Sequence, residues 1–179
     1  GFVISNEGLM VNPNKMKAVE KFPIPKDVKG IQAFVGLVGY FRVFIKDFAK
    51  KARPLYDLLK KEIKFSWGIN QNEAFEALKS ALLSAPVLAF PDFKKEFILT
   101  TDASHYAVGA VLTQEYPEGE RLICCSSRSL TAAELNYSNT DREILAAVDG
   151  VLHNRSYLWG NKFKIKTDHS AIPYLVRNK

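Results

Sequence analysis

Two spacings of apolar residues divide the chain. Up to about residue 95 the apolar positions recur every three or four residues, and from Glu96 they alternate. The exception is the start. Phe2-Val3-Ile4-Ser5 and Leu9-Met10-Val11, around Asn6-Glu7-Gly8, predict two short strands and a turn. Asn12-Pro13-Asn14 then opens a short helical stretch spaced by Met16, Val19 and Phe22. After a linker bounded by Pro23 and Pro25, Asp27 caps a helix striped by Ile31, Phe34, Val35, Val38 and Phe41. Gly36 and Gly39 fall inside it, each costing roughly 1 kcal/mol against alanine, and read as close-packing positions. A third helix is expected over 48–61, interrupted or restarted at Pro54. Asn70-Gln71-Asn72-Glu73 resembles a capping box opening a fourth, with Phe75, Leu78, Leu82 and Leu83 as its stripe. Pro86 and Pro91 end that helix and form a tether.

Past the tether, Phe97-Ile98-Leu99-Thr100-Thr101 predicts a strand ending at Asp102, followed by strands over 106–114 and 121–126. Thr131-Ala132-Ala133-Glu134 and Thr140-Asp141-Arg142-Glu143 both have capping-box form. The second opens a helix striped by Ile144, Leu145, Val148, Val151 and Leu152. Residues 162–167 alternate charged and apolar as a half-exposed strand ending at Asp168, and a last helix is expected over 170–177. The fold class is therefore α+β: a mainly helical first half, then a sheet layered with helices.

Composition narrows the function classes. With 179 residues, 47% of them hydrophobic, the chain can bury a real core, which excludes a disordered tail or a disulfide scaffold. No apolar run reaches the roughly 18–20 residues of a membrane span. The chain opens on Gly1 with no basic-then-apolar leader, as expected of a piece cut from something longer and lacking a signal peptide. Cys124 and Cys125 are adjacent, point to opposite faces of a strand, and fit a reducing compartment. The net charge of +6 is uneven: residues 1–95 carry 16 Lys/Arg against 9 Asp/Glu, and residues 96–179 carry 9 against 10. A basic half beside a near-neutral half with isolated carboxylates suggests a nucleic-acid grip next to a metal site, or simply a solvated basic face. The grip would draw on Lys46, Lys50, Lys51, Arg53, Lys60 and Lys61.

Asp102 and Asp168 each follow a strand, in Thr-Asp-Ala-Ser and Thr-Asp-His-Ser. If those strands are parallel neighbours, the two carboxylates emerge side by side. Glu143 lies about 140° from the centre of its helix's apolar stripe and so reads as a non-core residue in the first turn. Singly, the aspartates are turn formers and Glu143 a cap residue. Together, three carboxylates suit a hard divalent cation, Mg2+ or Mn2+, of the kind that activates water in phosphodiester cleavage. His105, His153 and His169 lack partners at zinc-ligand spacing, and no phosphate-loop or nucleophile-elbow sequence occurs.

These segments, in this order, resemble one family. Gly1-Phe2-Val3-Ile4-Ser5-Asn6-Glu7-Gly8, residues 34–45, residues 54–61, Phe65-Ser66-Trp67, residues 85–93, Thr101-Asp102-Ala103-Ser104, Gly109-Ala110-Val111-Leu112-Thr113-Gln114, Ser127-Arg128-Ser129-Leu130, Asn136-Tyr137-Ser138, Glu143-Ile144-Leu145-Ala146 and Thr167-Asp168-His169 are similar to the pol polyprotein of gypsy-type LTR retrotransposons. The resemblance implies the end of a reverse-transcriptase palm over 1–12, a thumb over 13–66, a connection over 67–95, and a ribonuclease H-like mixed sheet over 96–179, truncated at its C-terminus. It implies Asp102, Glu143 and Asp168 as catalytic, metal-holding carboxylates. A fourth acidic ligand, a fifth strand and a closing helix would lie downstream, and the polymerase aspartates upstream. The implied partners are an RNA–DNA hybrid or template–primer duplex and the remainder of the polyprotein, without a membrane, in an intracellular setting such as a cytoplasmic particle or the nucleus. The rival expectation is an inactive, retroelement-derived module that binds nucleic acid or protein.

Overall fold

A computed structural model of the chain describes residues 1–169. Strands β1 (Phe2–Ser5) and β2 (Gly8–Val11) form the expected antiparallel hairpin, Phe2 opposite Val11. Helix α1 (Pro13–Glu20) starts where Asn12 accepts the Asn14 N–H and proline occupies a position needing no donor. Helix α2 (Val28–Gly39) is capped by Asp27, which accepts the Gly30 N–H at 2.7 Å. A 3-10 turn, Arg42–Phe44, leads to α3 (Phe48–Asp57), which continues through Pro54 but stops four residues short of Lys61. Helix α4 (Ile69–Leu83) starts earlier than Asn70: the Gln71 side chain accepts the Gly68 N–H at 3.1 Å.

These helices share one core. The Phe34 ring lies 4.4 Å from Phe75 and 5.3 Å from Phe22 between centroids, surrounded by Ile31, Val38, Phe41, Leu55, Leu78 and Leu82. The close-packing reading of the α2 glycines fails. Gly36 has no neighbour within 4 Å of where a Cβ would stand, and Gly39 meets only the ring tip of Phe48 at 3.7 Å.

The second half is built on a four-stranded sheet of β3 (Phe97–Ala103), β4 (Ala107–Tyr116), β5 (Gly119–Ser129) and β6 (Phe163–Lys166). Its order is β5–β4–β3–β6, antiparallel except for the parallel β3–β6 pair. Strands β3, β4 and β5 outrun their expected ends, whereas β6 is shorter than the strand expected over 162–167. The β4–β5 pairing continues to Tyr116 and Gly119, leaving a two-residue turn, and Asp102 lies inside β3. The Thr131–Glu134 box does form, with the Glu134 carboxylate accepting the Thr131 N–H at 2.8 Å, but it opens only a 3-10 turn, Glu134–Asn136. The helix expected over 170–177 lies outside the described residues.

Both faces of the sheet are covered. Helix α5 (Asn139–His153), followed by the short α6 (Arg155–Leu158), packs on β3 and β4. The opposite face carries α3 and the Arg42–Phe44 turn, which lie on β5. There the Ala49 N–H donates to the Ser127 hydroxyl at 3.0 Å, and the Arg42 guanidinium donates to the Ser127 carbonyl. The helical half thus covers β5 and part of β4, whereas β6, at the edge of the sheet, is exposed along its length.

The apolar stripe expected of α5 is only partly its buried face: Leu145 and Val151 pack against the core. Val148 and Leu152 are 49% and 63% exposed, whereas Arg142, Glu143, Ala146, Ala147 and Gly150 are buried. Small residues face the sheet because the helix lies close to it. A Cβ at Gly150 would stand 3.0 Å from the Ala110 Cβ and 3.3 Å from both Leu99 and Thr101 side chains. Gly150→Val is therefore expected to lift α5, costing about 1–3 kcal/mol in chemical denaturation and weakening Mn2+ binding by drawing Glu143 away from β3. Full stability with unchanged Mn2+ affinity would show the contact to be slack.

Candidate metal centre

Parallel pairing sets two of the three carboxylates side by side. Thr100 is opposite Lys166 across β3 and β6, so Asp102 and Asp168 stand two residues beyond the same register point. The third comes from α5, whose cap differs from the expected one. Ser138 accepts the Asp141 N–H at 3.1 Å and donates to the Asp141 carboxylate at 2.7 Å. That places Glu143 in the second helical turn and frees it from capping. One oxygen from each of Asp102, Glu143 and Asp168 lies within 4.8 Å of the others.

Glu143 is 5% exposed, and its Oε2 is buried without a hydrogen-bond partner. Burial pushes its carboxyl above the usual carboxylate range, and the Asp102 and Asp168 charges push the same way; the Ala103 backbone N–H and His169 oppose them. An orphaned buried oxygen among three crowded carboxylates fits a hard, oxygen-preferring divalent cation, which would supply the missing partner and offset the repulsion. Without such an ion the folded chain holds the Glu143 proton more tightly than the unfolded chain does. Its contribution to stability is full below the ordinary carboxylate range and is lost as pH rises through the raised value. In chelator, Glu143→Gln is expected to match the parent in acid and to melt higher than the parent once the pH has risen through the raised value. Thermal melts across that range check it, and a variant less stable than the parent at neutral pH would contradict it.

The surroundings include residues that the sequence did not single out. His105, on the β3–β4 turn, has its Nδ1 2.8 Å from Arg142 Nη1, and His169 Nε2 lies 3.4 Å from the Thr140 hydroxyl. Asp47 precedes α3 with φ 57°, and its carboxylate lies 2.9 Å from where a Gly109 Cβ would be, a position only glycine leaves open. Asp47 and Lys50 share a small cavity with Asp102, Ser104 and Ser127, so the helical half forms one wall beside the carboxylates. No spacing marked these contacts, which join residues from separate elements.

The basic residues divide into two groups. Lys46, Lys50 and Lys61 are exposed, and their side chains have no hydrogen bond or ion pair among the described residues. Lys51 donates to the Lys46 carbonyl at 2.6 Å, Lys60 pairs with Asp57 at 2.6 Å, and Arg53 lies 3.6 Å from Asp57 and over the Tyr106 ring at 3.4 Å. The two cysteines are free and face opposite sides of β5, and burial raises the Cys124 thiol to about 11. Among the described residues, no helix is long and apolar enough to cross a membrane.

A parallel strand pair and a helix that bring three carboxylates together on a mixed sheet define a ribonuclease H-like domain. The match of residues 67–165 to the model for the RNase H-like domain found in reverse transcriptase agrees, and the chain belongs to that family, in Pol polyproteins of the gypsy type. It is 43% identical over 177 residues to the retrovirus-related Pol polyprotein from transposon 297 of Drosophila melanogaster, covering 98% of this chain and 16% of that protein. To the polyprotein from transposon gypsy of the same fly it is 40% identical, covering 100% of this chain and 18% of the relative. The chain therefore spans less than a fifth of either relative's length. In fold it is similar to a foamy viral protease–reverse transcriptase in complex with RNA/DNA hybrid, with TM-score 0.78 and 19% identity over 99% of this chain and 24% of that one. A structure of that protein in complex with dsDNA gives TM-score 0.79 at 19% identity, over 100% of this chain and 38% of that one.

Proposed function

We propose that this region cuts the RNA strand of RNA–DNA hybrids with a divalent metal, while its helical half holds the duplex by its backbone. The observation that carries the reading is the convergence of Asp102, Glu143 and Asp168 around the unpartnered Glu143 Oε2. Asp102, Glu143 and Asp168 would hold Mg2+ or Mn2+, which when bound would supply an activated water and neutralise charge on the phosphate. The chain's own residues do the rest. Asp102 and Asp168 present their carboxylates from the β3–β6 edge, and α5 brings Glu143 to them from a buried position. Lys46, Lys50, Lys51, Arg53, Lys60 and Lys61 supply sequence-independent contacts to phosphates, and the shape of the hybrid is what the site would recognise. That the foamy viral relative in fold was solved in complex with RNA/DNA hybrid supports this substrate class.

The test is cleavage of a hybrid labelled on each strand, in Mg2+ and then in Mn2+. Scission of the RNA strand alone, stopped by chelator, supports the reading. Binding of the duplex with no scission in either metal overturns it in favour of a non-catalytic clamp.

A further inference from the structure

Arg142 is 7% exposed, its Nε has no partner, and no carboxylate among the described residues pairs with it. A guanidinium withdrawn from water without a counter-charge is costly, and such departures from good local chemistry concentrate where a protein works. Its polar contact is with His105: Nη1 lies 2.8 Å from the ring Nδ1. Guanidinium nitrogens only donate, so the His105 Nδ1 accepts and carries no proton. The ring proton is then on Nε2, on the other flank of an exposed side chain.

That N–H stands on the turn directly after β3, three residues beyond Asp102, and the turn is held from several sides. Within it, the Ser104 hydroxyl accepts the Ala107 N–H at 3.0 Å and donates to the Ala107 carbonyl at 3.1 Å. From the helical half, Arg53 covers the neighbouring Tyr106 ring at 3.4 Å. From α5, Arg142 fixes the imidazole. Thus one arginine from each half clamps the turn that follows Asp102, and the exposed Lys50 lines a small cavity with Asp102, Ser104 and Ala107 of that segment.

We infer that His105 holds the nucleic-acid strand at the metal centre by donating its Nε2–H to a backbone phosphate, with Arg142 as the positioning residue that aims the ring. The inference rests on the nuclease reading. A phosphate oxygen is the acceptor class this donor suits, because it is anionic, recurs along the strand and needs no base-reading partner.

The experiment uses the full 179-residue chain and an RNA–DNA hybrid. His105→Ala and His105→Gln alter an exposed side chain, and Arg142→Met removes the donor behind it. His105→Ala is expected to weaken hybrid binding, read by fluorescence anisotropy, by roughly 3- to 10-fold, and to raise KM by the same factor. His105→Gln, whose amide nitrogen reaches the Nε2 position, restores most of that loss. In Arg142→Met, nitrogen NMR of the His105 ring shows the proton shared between Nδ1 and Nε2, a signature that a purely structural role for Arg142 would not produce. Parental affinity in His105→Ala, or failure of glutamine to rescue it, overturns the inference, and an unshifted His105 tautomer in Arg142→Met overturns the role of Arg142. Mn2+ binding by the parent, followed by electron paramagnetic resonance, separates the two readings. If the carboxylates take up no Mn2+ the nuclease reading fails, and the anisotropy comparison still decides for or against His105.

Discussion

Asp102→Asn is expected to lower hybrid cleavage by at least about a thousandfold, roughly 4 kcal/mol of barrier, while leaving duplex affinity near the parent's. Asparagine keeps the shape of the side chain but replaces one carboxylate oxygen with an NH2 that only donates. Among three side chains whose oxygens come within 4.8 Å, the change removes one negative charge and one of the oxygens the proposed cation would use. The consequence reaches stability too. A divalent ion that binds only the folded chain raises its melting temperature in proportion to the logarithm of its concentration. Mn2+ should therefore stabilise the parent and leave Asp102→Asn unmoved. The proposed grip draws on other residues on other elements, so anisotropy with labelled hybrid should scarcely distinguish the two proteins. Cleavage by Asp102→Asn at the parent's rate would remove the three carboxylates from the reaction.

Salt produces the second large effect. The Lys46, Lys50 and Lys61 ammonium groups have no partner among the described residues, whereas Lys51, Arg53 and Lys60 each hold a local partner that a phosphate must compete with. Between three and six phosphate contacts give a slope of about −3 to −5 in log affinity against log salt, or roughly 40- to 2,000-fold between ~50 and ~200 mM. Changing Lys46 and Lys50 to glutamate together should flatten the slope by about 2. Titrations at several salt concentrations read both numbers. An affinity indifferent to salt would place the duplex elsewhere on the molecule.

Much of this was legible in the chain, for reasons that differ by element. The change of spacing at Glu96 located the sheet, because alternation is fixed by strand geometry whatever packs on it. The paired Thr-Asp segments gave the neighbouring aspartates, and the parallel β3–β6 register bears that geometry out. Helix α5 was misread because the stripe rule weights bulk. Ile144, Leu145, Val148 and Leu152 outweighed Ala146, Ala147 and Gly150, yet a helix pressed against a sheet needs small side chains there. The same error placed Glu143 outside the core. Capping boxes misled in a second way: they recognise the start of a turn and carry no information on how far the helix continues, so Thr131–Glu134 opened only a 3-10 turn. His105, Arg142 and Asp47 left no mark in the sequence, since their roles exist only where α3, α5 and the β3–β4 turn meet.

The carboxylate site is also a matter of timing. Residues 102, 143 and 168 close two long loops, and the last of them follows β6, a four-residue strand paired to β3 across some sixty residues of chain. Contacts that distant form late, after the locally wired helices of the first half have gathered around Phe34. During synthesis a chain that has already presented its basic grip would thus have no cutting site until Asp168 has emerged and β6 has docked. The expected order, basic residues 46–61 placed before the three carboxylates can meet, follows from where those acidic residues fall along the polypeptide.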